Sequence, residues 1–126
     1  MDKLFLCENN TGLSIIAEKL YNYFFGDGKA KSAALNVQAI LFNSPDQIII
    51  KSMNELGFDL SGFKVSRLNQ SLISESCQYI IVDNSLIPSC LENKKVIRWG
   101  FVYSAEMRLE EIAIIRNTIA RWIQNL

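Results

Sequence analysis

A nucleophile and the makings of an anion cradle meet in Cys7, Glu8, Asn9, Asn10, Thr11, Gly12, Leu13 and Ser14. A cysteine closes an apolar run, a short polar loop containing Gly12 follows, and helical spacing begins at Ser14. Amides of a loop that winds into a helix point at one spot, and the helix dipole adds partial positive charge there. The loop from Cys7 to Ser14 can therefore hold an oxyanion such as phosphate or sulfate, with a thiol at its mouth. Leu13 gives the loop no cation, and the chain has no histidine, so any cysteine chemistry must proceed without an imidazole base. Three cysteines, Cys7, Cys77 and Cys90, make an odd number without disulfide-framework or zinc-ligand spacing, so neither a metal nor a cofactor is expected. Cys77 and Cys90 read first as small buried apolar residues.

The elements that must position this loop alternate between strand and helix. Lys3 to Cys7 reads as a short buried strand, and Ser14 to Phe25 as a helix closed by the turn Gly26 to Gly28. A small strand at Ala30 to Leu35 follows. In Asn43 to Gln47, Ser44 is placed as an N-cap, Pro45 as the first helical residue and Gln47 as the capping-box partner, predicting a helix over Pro45 to Leu56 with Gly57 as its left-handed terminator. Phe58 to Ser71 reads as a polar loop with room for a short helical turn. Tyr79 to Asp83 and Lys95 to Trp99 are continuous apolar strands of the kind buried on both faces. Glu106 to Asn125 carries Ile112, Ile115, Ile119, Trp122 and Ile123 on one broad face, a long terminal helix laid on the sheet. Such alternation predicts a doubly wound parallel sheet, which binds ligands beyond the carboxyl ends of its strands.

Composition narrows the partners. The 126 residues, 49% of them hydrophobic, suit one domain spanning residues 1–126. Thirteen Lys and Arg offset thirteen Asp and Glu, and no run of like charge offers a footprint for nucleic acid or a membrane surface. No apolar stretch approaches the ~20 residues that span a bilayer, and the expected location is the cytoplasm.

The loop has a specific likeness. Cys7, Asn10, Ser14, Ala17 and Glu18 match the pattern C-x-x-N-x-x-R-S-x-x-A-E, so that the segment resembles the active-site loop of low-molecular-weight protein tyrosine phosphatases and thioredoxin-coupled arsenate reductases. Lys31 to Leu35 is similar to that family's second strand, Met53 to Leu68 to its E-x-G-I-D-L-S-x-H-x-S-x-x-L segment, and Arg98 to Phe101 to the stretch before its acid loop. The likeness runs in order along nearly the whole chain. It implies a three-layer α/β fold with a four-stranded, doubly wound parallel sheet, of the phosphotyrosine protein phosphatase I type.

The resemblance also implies a chemistry and shows what is missing from it. In the family, the cysteine matching Cys7 is the nucleophile, an arginine clasps the equatorial oxygens, and a late aspartate protonates the leaving group. Here the arginine position is Leu13 and the acid position falls on Tyr103, with Asp83 the nearest acidic alternative by sequence but on another strand. A transition-state donor contributes ~3–4 kcal/mol and a general acid ~10² to 10⁴ in rate, so efficient phosphatase activity is not expected. The reading is a degenerate phosphatase-like domain with a binding or regulatory role; its alternative is a weak cysteine-dependent phosphatase or arsenate reductase using Cys7. In the latter, Cys77 or Cys90 would be redox partners, Cys90 at the family's second relay position. Restoring an arginine at position 13 and an aspartate at 103 would then return the lost chemistry. A cysteine after strand one without arginine is also similar to phosphocysteine carriers of sugar phosphotransfer, which lack segments like Glu55 to Ser61 and Arg98 to Phe101. Trp99 and Tyr103 stand either at a ligand mouth or over the core.

Overall fold

The three apolar runs and the small strand at Ala30 become four strands in the computed structural model, which describes residues 1–36 and 44–126; the last run, expected to be buried on both faces, is an edge strand of half-buried and exposed residues. They are β1 (Lys3–Cys7), β2 (Ala30–Ala34), β3 (Gln78–Asp83) and β4 (Val96–Phe101), all parallel, in the order β2-β1-β3-β4. The helices are α1 (Leu13–Phe25), α2 (Gln47–Asn54), α3 (Gln70–Glu75) and α4 (Leu109–Ile123). Side chains alternate across a strand, and the two faces carry separate cores. Phe5, Ile80 and Val82 pack with Ile16, Leu20, Ile49, Ile112 and Ile119 from α1, α2 and α4. Leu4, Leu6, Tyr79 and Ile81 pack on the other face with Leu72 and Ile73 of α3 and with Leu91 of a single 3-10 turn. The result is the predicted three-layer α/β sandwich.

Several boundaries shift for identifiable reasons. α1 starts at Leu13, and its buried Leu13, Ile16, Ala17 and Leu20 form one helical stripe. α2 starts at Gln47 with Asp46, not Ser44, at its N-cap, and ends at Asn54; Asn43 lies outside the described residues. The Asp46 carboxylate makes no cap bond, because it accepts from Thr11 and Tyr103 instead. Gly57 takes the left-handed conformation expected of a terminator, at φ 86°. β4 runs on to Phe101 because Gly100, at φ 74°, absorbs a register shift against β3 between Ile81 and Asp83. α4 begins later than predicted, where the Arg108 amide donates to the Glu111 carboxylate at 3.1 Å. α3 replaces the end of a predicted loop; six residues are too few to show a period, but Asn69 caps it by accepting from the Leu72 amide at 2.9 Å.

One buried cation braces the helical layer. Arg116 of α4, 6% exposed, donates to the Ser52 carbonyl at 2.7 Å and to Glu55 at 2.9 Å, pinning α2 and so the residue that precedes it, Asp46. Cys77 and Cys90 are exposed, not buried as the sequence suggested. Cys77 stands just before the start of β3, and in the 3-10 turn it is Leu91, not Cys90, that is buried in the core.

Candidate functional site

The order β2-β1-β3-β4 places the reversal of the sheet between β1 and β3, so the cleft lies beyond Cys7 and Asp83. A cavity of about 260 Å³ occupies that position. Its floor comes from Cys7, Glu8, Asn9, Thr11 and Gly12, and its walls from Asp46, Asp83 and Asn84, with Tyr103 to Ala105 closing the far side. Asn10, Leu13 and Ser14, read from the sequence as part of the anion loop, sit behind this surface and shape it.

Loop geometry follows from Asn10. This residue is fully buried and takes the left-handed conformation at φ 49°, which asparagine tolerates better than most residues. Its carboxamide oxygen accepts from the Ser66 amide at 3.0 Å, and its nitrogen donates to Ser14 Oγ at 2.8 Å. Ser66 in turn belongs to a segment tied to β2, with the Ala34 amide donating to the Ser66 carbonyl at 2.7 Å. The motif around Ser66 thus reaches the loop through a hydrogen bond rather than through chemistry of its own.

Ser14 Oγ lies 2.8 Å from Cys7 Sγ. Because Asn10 already donates to that hydroxyl, its own hydrogen is free to point at the sulfur. Backbone hydrogen bonds from Ser14 and Asn10 also favour the charged form of the Cys7 sulfur. Burial nonetheless dominates: Cys7 is 4% exposed, and desolvation pushes its thiol above the ordinary value of 9.0, with the Asp83 charge adding to the rise and the Ser14 and Asn10 bonds opposing it. The sulfur is held as a neutral thiol.

The remainder of the mouth is acidic and internally satisfied. Asp83 accepts from the Glu8 amide at 2.9 Å and from the Ser85 amide at 3.0 Å. Asp46 Oδ2 accepts from Tyr103 Oη at 2.5 Å and from Thr11 Oγ1 at 3.3 Å. Burial and the Asp46 carboxylate push the Tyr103 phenol far above its usual range. No lysine or arginine lines the cavity among the described residues. Leu13, at the position where the resemblance expects a cation, is 1% exposed within the core of α1.

Of the aromatic residues left open by the sequence, Tyr103 is at the mouth and Trp99 packs against Phe5 and Trp122. Of the two proposed redox partners, Cys77 does not reach the thiol. Leu6 pairs with Ile81, so Cys7 is level with Val82, and Cys77 lies five residues back along β3, ~16 Å away against the ~7 Å limit for a disulfide. Cys90 does not line the cavity. Among the described residues no group of acidic and cysteine side chains could hold a metal ion.

Sequence reasoning missed Asp46 entirely, since nothing near it in the chain marks it as part of the loop's surroundings. Asp83, on a different strand by sequence, reaches the site because β3 lies beside β1. That adjacency at the switch point is the signal for it.

No family model matches the chain, and neither does any curated protein. Solved structures do. The low-molecular-weight protein tyrosine phosphatase from T. tengcongensis superposes with a TM-score of 0.80 at 21% identity, over 98% of this chain and 95% of that one. The fold is that of the low-molecular-weight phosphatases and arsenate reductases. An arsenate reductase from Archaeoglobus fulgidus gives a TM-score of 0.76 at 21% identity, over 98% of this chain and 96% of that chain. The tyrosine phosphatase Wzb from Escherichia coli, in complex with sulphate, gives 0.76 at 17% identity, with 98% and 96% covered. The phosphatase fold therefore holds over the whole described chain. No helix among the described residues is long and apolar enough to cross a membrane.

Proposed function

We propose that this chain is a phosphatase-fold domain with little or no phosphatase activity, acting as a binding or regulatory module through the cleft over Cys7. The observation that carries this reading is the lining of the cleft, which holds Asp46 and Asp83 and no cation. A phosphoryl transition state gathers charge on its equatorial oxygens, and a missing donor there costs ~10² to 10³ in rate. The nucleophile is also held protonated by burial and by Asp83. Tyr103 stands where an acid would be needed, and a phenol with so raised a pKa is a poor proton donor.

What the cleft keeps is the backbone half of an anion site. α1 begins behind Gly12 with no side chain capping its first amides. An oxyanion such as phosphate or sulfate is the ligand that fits this half, in keeping with the sulphate complex of Wzb. The flanking carboxylates make such binding weak. The alternative, a slow cysteine-dependent phosphatase or arsenate reductase, is favoured by the Asn10, Ser14 and Cys7 hydrogen-bond chain, which is intact.

Hydrolysis of p-nitrophenyl phosphate, and reduction of arsenate with thioredoxin, decide between the two. The expected result is turnover no greater than that of Cys7→Ser. Turnover measurably above that of Cys7→Ser, even far below the ~10 s⁻¹ of a typical enzyme, would overturn the binding-module reading.

A further inference from the structure

The Tyr103 ring lies against the Cys7 loop at the mouth of the cavity. An added Cβ on Gly12 would meet the Tyr103 ring at 2.6 Å from Cε2, so the ring lies directly on the loop backbone and only glycine admits it there. Its hydroxyl is fixed by Asp46 Oδ2, the same oxygen that accepts from Thr11. The Asp46 amide donates back to the Thr11 carbonyl at 2.9 Å, so loop, strap and α2 share one small network.

The segment carrying this residue is otherwise loosely held. Val102 is 68% exposed, and Ser104, Ala105 and Glu106 are exposed as well, leaving Tyr103 as the single inward side chain between Phe101 and Met107. The hydrogen bonds of Ser104 to Met107 are local to the strap. Phe101, the last residue of β4, is held by its pairing with Asp83 and its packing on Trp122, so the loosely held segment begins at Val102.

We propose that Tyr103 is an intramolecular plug of the Cys7 cradle, latched by Asp46, and that the Val102–Glu106 strap must swing aside before a ligand reaches the thiol. The site is autoinhibited, and ligand affinity is lowered by the fraction of molecules in which the strap is closed. This builds on the reading of the Cys7 loop as a ligand-binding cradle, and the two are tested separately.

Alkylation of Cys7 by iodoacetamide, followed peptide by peptide in the intact chain, reads the latch. Exposed Cys77 and Cys90 serve as internal references. Rates measured across pH separate access, seen in the limiting thiolate rate, from acidity, seen in the midpoint. Loss of one hydrogen bond to a charged group shifts an open–closed equilibrium about tenfold, so Tyr103→Phe should raise the limiting Cys7 rate by about that factor, and Asp46→Asn, whose carboxamide oxygen still accepts from the phenol but without the charge, by a smaller one. Tyr103→Ala, which removes the ring as well, should raise it further. Reference rates and the circular dichroism spectrum should not change. If the limiting rate of Cys7 in folded Tyr103→Phe and Asp46→Asn equals that of the wild type, the latch does not exist, whether or not Tyr103→Ala folds.

Titration with inorganic phosphate, read as thermal stabilisation, tests the cradle independently. Stronger stabilisation of the Tyr103 variants than of the wild type supports both ideas. Faster alkylation without phosphate stabilisation in any variant keeps the latch and refutes the oxyanion cradle.

Discussion

Replacing Leu13 by arginine is the most direct test of what has become of the loop. The sequence alone suggests that Leu13→Arg, together with Tyr103→Asp, would return the missing groups; the structure points the other way. Leu13 is 1% exposed, lies in the α1 stripe with Ile16, Ala17 and Leu20, and does not line the cleft. Removing a fully buried leucine side chain costs about 3–5 kcal/mol. An arginine in its place must either sit unpaired among apolar groups, adding several kcal/mol, or tear the first turn of α1 open to reach solvent. Some of this loss is recovered by snorkelling, so a net penalty of at least about 4 kcal/mol is expected against a total stability of about 5–15 kcal/mol. At roughly 4 °C per kcal/mol for a domain of this size, the melting temperature should fall by about 15 °C or more. Leu13→Met, which preserves volume and polarity, should cost less than about 1.5 kcal/mol. Thermal melts by circular dichroism, with p-nitrophenyl phosphate hydrolysis of the double variant alongside, give the answer. A Leu13→Arg protein melting within a few degrees of wild type, with Cys7-dependent hydrolysis on adding Tyr103→Asp, would refute the argument, because the side chain at 13 would then reach the cleft without disturbing the core.

Two further outcomes follow from Tyr103. Gly12→Ala forces the ring off the loop, since the new Cβ would lie 2.6 Å from Cε2; it should cost about 1–3 kcal/mol, and a denaturation cycle with Tyr103→Ala should show positive coupling of at least about 0.5 kcal/mol, while strict additivity would mean that the contact carries no energy. In alkali, the unfolded chain releases the Tyr103 proton near 10 while the folded chain retains it, so the unfolded state binds fewer protons and stability falls as pH rises above 10. Tyr103→Phe should flatten that decline relative to wild type, with Cys7 and Tyr21, both raised chiefly by burial, supplying the residual slope; identical slopes in urea melts between pH 9 and 11 would contradict the Tyr103 assignment.

The centre of the sheet was legible because β1 and β3 are continuous apolar runs and the long helices carry period-3.6 stripes, whereas β4, apolar enough to read as buried on both faces, is half-exposed at the sheet edge. Lys3 to Cys7 and Tyr79 to Asp83 needed nothing beyond that. α3 and the start of α2 were not legible, the first for its length and the second because Asp46 is drawn away from capping by Tyr103, a residue 57 positions distant. The cleft shows the same division. Asn10, Ser14 and Cys7 are close in sequence, and their mutual hydrogen bonds follow from a pattern that a reader of the sequence can see. The walls are contributed by residues whose only connection is the fold.

The electrostatic state of the cleft follows from how those walls are satisfied. Without a guanidinium, two carboxylates near a thiol would be expected to demand some other positive partner. Each instead takes neutral donors from within the chain: Asp83 the amides of Glu8 and Ser85, Asp46 the hydroxyls of Tyr103 and Thr11. The Glu8 amide is one of the groups a loop of this kind would otherwise offer to an anion, and it is already occupied by Asp83. An incoming oxyanion must therefore displace a phenol from one carboxylate and meet the field of both. Leu13 is consistent with the same arrangement, since at the head of the α1 stripe it adds apolar contact to the core and leaves the mouth to groups that satisfy one another. Catalysis would require this closed set of hydrogen bonds to open, and binding that opens it would couple ligand occupancy to the position of the strap between β4 and α4.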